Sequence, residues 1–178
     1  MGEPIVEWLN QQQDIMVELL RDLVNIDSNS FDKAGVDRVG ARLTAFFDDN
    51  EIPHETIPLE EYGDAIRAVV SGGDGNQPIL LCGHRDTVFP TGEVEKRPFS
   101  IADGKAFGPG VADMKPGLVI NAFILAAFHK FGGHPNPLVG LFTGDEEIGS
   151  PASQDVITAE AEKARLAFNS EPSRPSGN

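Results

Sequence analysis

The chain has 178 residues, enough for one domain with a real core. Hydrophobic content of 40% and charged content of 24% are those of an ordinary globular protein, but 28 acids against 14 Lys and Arg give a formal net charge of −14. A surface that negative repels phosphate backbones and anionic lipids, which argues against nucleic acid and membrane partners and suits a cation.

From Pro4 to about Ile26, Trp8, Ile15, Met16, Leu19, Leu20 and Leu23 recur at helical spacing and predict one amphipathic helix. The N-terminus carries early acids and no basic start ahead of an apolar run, so no secretory leader is expected. No apolar run reaches bilayer-spanning length, and the expected compartment is the cytoplasm. Ser28 to Ser30 interrupts the helical pattern, and Val36, Val39, Leu43, Phe46 and Phe47 mark a second helix ending near Asn50. "AIRAVVSGGDGNQPILLCG" predicts a hairpin, two β-type runs around a glycine-rich turn. The only cysteine, Cys82, lies in the second run and reads as an inert buried thiol.

A long loop is expected from His84 to about Gly110, followed by "KPGLVINAFILAAFHKF", apolar nearly all round and so a well-buried helix. "PLVGLFT" is a short buried strand. "SPASQDVITAEA" opens like a helix with Ser150 as N-cap and Pro151 at its first position. "ARLAFN" is a further short strand. This alternation predicts a three-layer α/β fold, a mostly parallel doubly wound sheet with an added hairpin.

In such a sheet the ligand site lies beyond the carboxyl ends of the strands. "PILLCG" runs into His84 and Asp86, "LVGLFTG" into Asp145, Glu146 and Glu147, and "RLAFNS" into Glu171. Asp113 stands where a glycine-rich loop enters the buried helix. An acidic run is ordinarily wet surface, but one imidazole and several carboxylates converging on one sheet edge point to a divalent metal. In the extended segment His84-x-Asp86 both side chains share a face, which lets Asp86 orient the imidazole. "GPG" and "SGGDG" do not make a phosphate loop: no G-x-x-x-x-G-K-[ST] occurs, and Pro109 lacks the N–H such a loop uses. His54, His129 and His134 read as ordinary surface or loop histidines, and no His–Ser pairing makes Ser150 a nucleophile.

"LLCGHRDTVFP", "GPGVADMKPG", "TGDEEIGS" and "FNSEPS" resemble, in the same order, the signatures of the co-catalytic zinc aminoacylase and carboxypeptidase family. That family includes glutamate carboxypeptidase of the G type, acetylornithine deacetylase and succinyl-diaminopimelate desuccinylase. The resemblance spans nearly the whole chain, as the N-terminal part of a catalytic domain over residues 1–178. It implies two zinc ions, with cobalt or manganese fitting the same ligands. His84 and Glu171 would bind the first metal, Glu147 the second, and Asp113 would bridge them with a cis peptide before Met114. Asp86 would orient His84 and Glu146 would be the general base. The implied reaction is hydrolysis of an amide bond in an N-acyl amino acid or small peptide. The family also uses a further His ligand and a lid domain from a chain about twice this long, and Pro116 replaces its usual small residue. Activity of the isolated chain is therefore expected to be weak or absent. The alternatives are a non-catalytic metal-binding or protein-binding remnant and one half of a two-chain enzyme. Uncovered apolar surface is expected to drive self-association.

Overall fold

A computed structural model describes residues 2–173. Its strands are β1 (His54–Ile57), β2 (Ala65–Val70), β3 (Ile79–His84), β4 (Ser100–Ala102), β5 (Lys105–Phe107), β6 (Leu138–Thr143) and β7 (Leu166–Asn169). The helices are α1 (Gly2–Gln11), α2 (Gln13–Val24), α3 (Lys33–Asp49), α4 (Glu93–Lys96), α5 (Lys115–Lys130) and α6 (Gln154–Ala161). The main sheet has the order β1-β2-β6-β3-β7. β6, β3 and β7 are parallel neighbours, while β2 runs antiparallel to both β6 and β1. The α/β class expected from the alternation holds.

The hairpin expected from residues 65–83 does not form. β6 lies between β2 and β3 and bonds to both, Ile66 opposite Phe142 and His84 opposite Thr143. The glycine-rich turn looks like a local hairpin signal, but the central position goes to the strand with both faces buried, and every residue of β6 is buried. β2 pairs instead with β1, and the loop after β3 folds a small second hairpin from β4 and β5.

Helices cover the two faces unequally. α2, α3 and α5 pack on one face, where Leu23, Leu43, Phe47, Leu118 and Phe142 are fully buried. At about 1.5–3 kcal/mol for each large apolar side chain, this face carries most of the hydrophobic stabilisation. The other face has Leu80, Val139 and Leu141 against Val156 and Ile157 of α6.

Two helix boundaries differ from expectation. The first helix is broken at Gln12, and the bend lets Trp8 of α1 stay on α5, with ring centroids 6.2 Å from Phe123 and 6.3 Å from Phe131. The sixth helix begins at Gln154 rather than at Pro151, and Ser150 sits at φ 56 outside it. Its start is fixed by Asp145, whose buried carboxylate accepts from the amides of Ala152 and Ser153 and from the Ser153 hydroxyl. α5 begins as its sequence implies, with Pro116 in the first turn where no N–H is missed.

Candidate metal centre

Three adjacent parallel strands deliver the polar residues. β3 ends on His84, β6 leads through Asp145 into a 3-10 turn at Glu146–Ile148, and Glu171 follows β7. α5 brings Asp113 to the same edge, and its close approach depends on Gly117, where a Cβ would meet the Ser170 carbonyl oxygen at 2.3 Å. Buried Asn121 ties this helix to the strand ends, donating to the Cys82 carbonyl at 2.8 Å and accepting from the Ser170 hydroxyl at 2.7 Å.

His84 lies beneath the carboxylates. Its Nε2 is 3.2 Å from Asp113 Oδ1, 3.5 Å from Glu171 Oε1 and 3.6 Å from Glu146 Oε2. Potential ligand atoms of His84, Glu146 and Glu171 fall within 4.8 Å of one another, and so do those of His84, Asp113 and Glu147. All five convergent residues expected from the sequence therefore meet. The Asp113–Met114 peptide is cis, as the resemblance implied.

Asp86 organises this group from below and is 0% exposed. Its Oδ1 lies 3.2 Å from His84 Nδ1 and accepts from the Glu146 amide at 3.2 Å. Its Oδ2 accepts from the Ser30 hydroxyl at 2.7 Å and from the Glu147 amide at 3.1 Å. His84 Nδ1 also lies 3.0 Å from the Asp86 main-chain carbonyl, so this one residue holds the imidazole and, through its carboxylate, the turn that presents Glu146 and Glu147. Burial pushes Asp86 up, but the bonds from His84 and Ser30 outweigh it and hold the group below its ordinary value.

Burial likewise lowers His84, and the hydrogen bond and charge of Asp86, with the charges of Glu171 and Glu146, overcome this and raise it to about 9. Glu147 and Glu171 are pushed up, by burial first and with the Asp113 charge adding to it. The two Glu shifts record burial first and neighbouring carboxylates second, and a divalent ion on the same atoms would relieve that repulsion. One imidazole with several carboxylate oxygens is a donor set that fits zinc, cobalt or manganese.

Asp145, the first acid of the run, is not part of this group; it is 0% exposed and caps the turn into α6. Among the described residues, His54 and His134 make main-chain contacts away from the site. Cys82 is half-buried and lines a cavity of about 180 Å3 beside His84, Glu146 and Glu171. Burial pushes its thiol up, which makes it a poor nucleophile.

Sequence reasoning missed several buried polar residues around the site, Ser30, Arg85, Lys115 and Asn121. Lys115 donates to the Ile26 carbonyl at 2.9 Å, and burial pulls it down to about 7. Arg85 had a usable signal: in the extended segment after β3 it must point to the face opposite His84 and Asp86, into the protein.

A family profile described as Peptidase family M20/M25/M40 matches residues 80–178. The chain is 32% identical over 165 residues to carboxypeptidase G2 of Pseudomonas sp. (strain RS-16), covering 90% of this chain and 39% of that protein. It is 31% identical over 165 residues to acetylornithine deacetylase of Salmonella arizonae, covering 88% of this chain and 42% of that protein. Among solved structures, human carnosine dipeptidase 1 superimposes with a TM-score of 0.81 at 17% identity, over 98% of this chain and 42% of that one. The metallo-carboxypeptidase Sso-CP2 of Sulfolobus solfataricus superimposes with a TM-score of 0.75 at 19% identity, over 92% of this chain and 39% of that one. The chain thus spans about two fifths of the relatives it matches.

Proposed function

The chain belongs to peptidase family M20/M25/M40, and from that premise we propose that it is the N-terminal portion of a catalytic domain that hydrolyses an amide bond in an N-acyl amino acid or small peptide. The observation that carries this reading is the convergence of Asp113, Glu146, Glu147 and Glu171 around His84, in two overlapping groups of which the imidazole can serve only one ion. The relatives' names, a carboxypeptidase and a deacetylase of an acylated amino acid, agree with that substrate class.

His84 and Glu171 would hold one metal, Glu147 a second, and Asp113 would lie between them. When bound, such a pair supplies Lewis acidity to a water and to the scissile carbonyl. Asp86 keeps Nε2 of His84 facing the carboxylates by holding Nδ1, and so sets which nitrogen ligates. Glu146 is about half exposed, and it would take the proton of the attacking water and return it to the leaving amine. Glu146 and Glu147, adjacent in sequence, would thus divide the work between proton transfer and ligation.

A second reading is one half of a two-chain enzyme, in which another polypeptide supplies the remaining ligand. Metal per chain after zinc loading and desalting, with Asp113→Ala as control, separates the cases. About two zinc ions lost in the variant are expected if the remaining ligand is supplied, and one if a partner chain must bring it. Glu146→Gln keeps its zinc and lowers turnover of N-acyl amino acids by about 10²–10⁴-fold. One zinc or none means that this chain holds only half the site; two zinc ions with no turnover, or with turnover that the Gln variant leaves unchanged, make a non-catalytic metal-binding remnant the better reading.

A further inference from the structure

From Pro116 to Phe128, α5 carries no polar side chain except Asn121, which lies in its middle and is 0% exposed. An amide there destabilises the fold unless its donor and acceptor are both paired, and a leucine would fill a similar volume without that demand. Both ends are paired, each to a different strand. Nδ2 donates to the Cys82 carbonyl of β3 at 2.8 Å, and Oδ1 accepts from the hydroxyl of Ser170, just beyond β7, at 2.7 Å. A carbonyl can only accept, so one orientation of the amide serves both partners. Gly117, one turn earlier on the same face of α5, lets the Ser170 main chain lie against the helix.

The place matters because β7 is the weakest support in the metal centre. It is an edge strand, paired to β3 alone and exposed at every residue. Its last ladder pair is Asn169 opposite Cys82, and the next amide, that of Ser170, reaches the Cys82 carbonyl only at 3.4 Å. The ladder gives out one residue before Glu171, at the point where Asn121 takes hold. Strand ends with few buried contacts are where local opening begins.

We propose that Asn121 is a positioning residue for Glu171. It clamps the carboxyl end of β7 through Ser170, and so fixes the Glu171 carboxylate over His84, where Oε1 lies 3.5 Å from Nε2. Asp113 stands two residues before the same helix, so the clamp also sets Glu171 relative to Asp113. The inference rests on the metal-centre reading above and adds to it the residue that holds the ligand of the edge strand in place.

The test compares the full chain with Asn121→Leu, Ser170→Ala and the double variant, with Glu171→Gln as reference. Amide hydrogen exchange and thermal unfolding are followed without metal, and zinc affinity is read by competition with a chromophoric chelator. Asn121→Leu and Ser170→Ala should each speed exchange over residues 166–171 while β6 keeps the parent's protection. Each should weaken zinc binding by about three- to tenfold, the effect of one lost hydrogen bond, and the double variant should be no worse than the weaker-binding single. If Asn121→Leu does not fold, Ser170→Ala, which removes one half-buried hydroxyl, carries both comparisons with the parent. A residue that only packs would lower the unfolding temperature and leave zinc affinity alone. Unchanged exchange over 166–171, or single effects on zinc that multiply in the double variant, overturns the proposal. Zinc affinity equal to the parent's in both singles, where Glu171→Gln weakens it, overturns the positioning role and leaves the metal-centre reading standing. Zinc that the parent and Glu171→Gln bind alike, or that neither binds, removes Glu171 from the centre and this inference with it.

Discussion

Three adjacent acids, Asp145, Glu146 and Glu147, look alike in sequence and are physically different in the fold. Asp145 is closed off from water and bonded to the turn behind it, whereas the next two stand over His84. The difference is measurable. Asp145→Ala should lower stability by about 2 kcal/mol in urea, the loss of a cap and its hydrogen bonds, with zinc per chain unchanged. Glu147→Ala should do the reverse, sparing stability and losing zinc. The site was legible to the extent that its residues followed strand ends, which put His84, Asp86, Asp145, Glu146, Glu147 and Glu171 on one edge, with Asp113 added from the loop before α5. Buried Arg85 and Lys115 were not legible in the same way. A charged side chain reads as surface until the fold supplies the carbonyls that hold it, here those of Val36 and Ile26.

At the scale of elements, most helices and strands follow from apolar period, because each buries one stripe or face. Pairing does not follow, since it depends on which strand competes for the centre of the sheet; β2 loses β3 to β6 for that reason. α6 shows how a thinly packed element is held. Its Glu160 is 7% exposed and lies 3.1 Å from Arg67 Nε of β2 and 2.8 Å from Lys163 Nζ. Burial pushes the Glu160 carboxyl up, but the hydrogen bond from Lys163 and the ion pair with Arg67 outweigh it and hold the group below its ordinary value. A carboxyl depressed in the folded chain stabilises it above the unfolded pKa, and that stability is lost as pH falls through the folded value. Glu160→Gln should therefore cost about 1 kcal/mol near neutrality, and the gap from the parent should close in acid urea titrations.

For the molecule as a whole, the unequal layers matter most. β7 is an edge strand exposed along its length, with Leu166 52% and Phe168 55% exposed, and an apolar groove of about 400 Å3 runs beside Phe168. We expect the chain to self-associate through this edge, more strongly at high salt because screening removes the repulsion of a −14 net charge. Phe168→Lys should reduce association in light scattering while changing stability by no more than about 0.5 kcal/mol. A monodisperse parent chain in high salt would contradict this. The sheet order has one more consequence, in time rather than space. β2 and β3 are made close together but are not partners in the finished sheet, and the strand that joins them begins only at Leu138. Each nascent chain carries two strand edges that wait for their shared partner while residues 85–137 are made, and loss of β6 leaves nothing to join them.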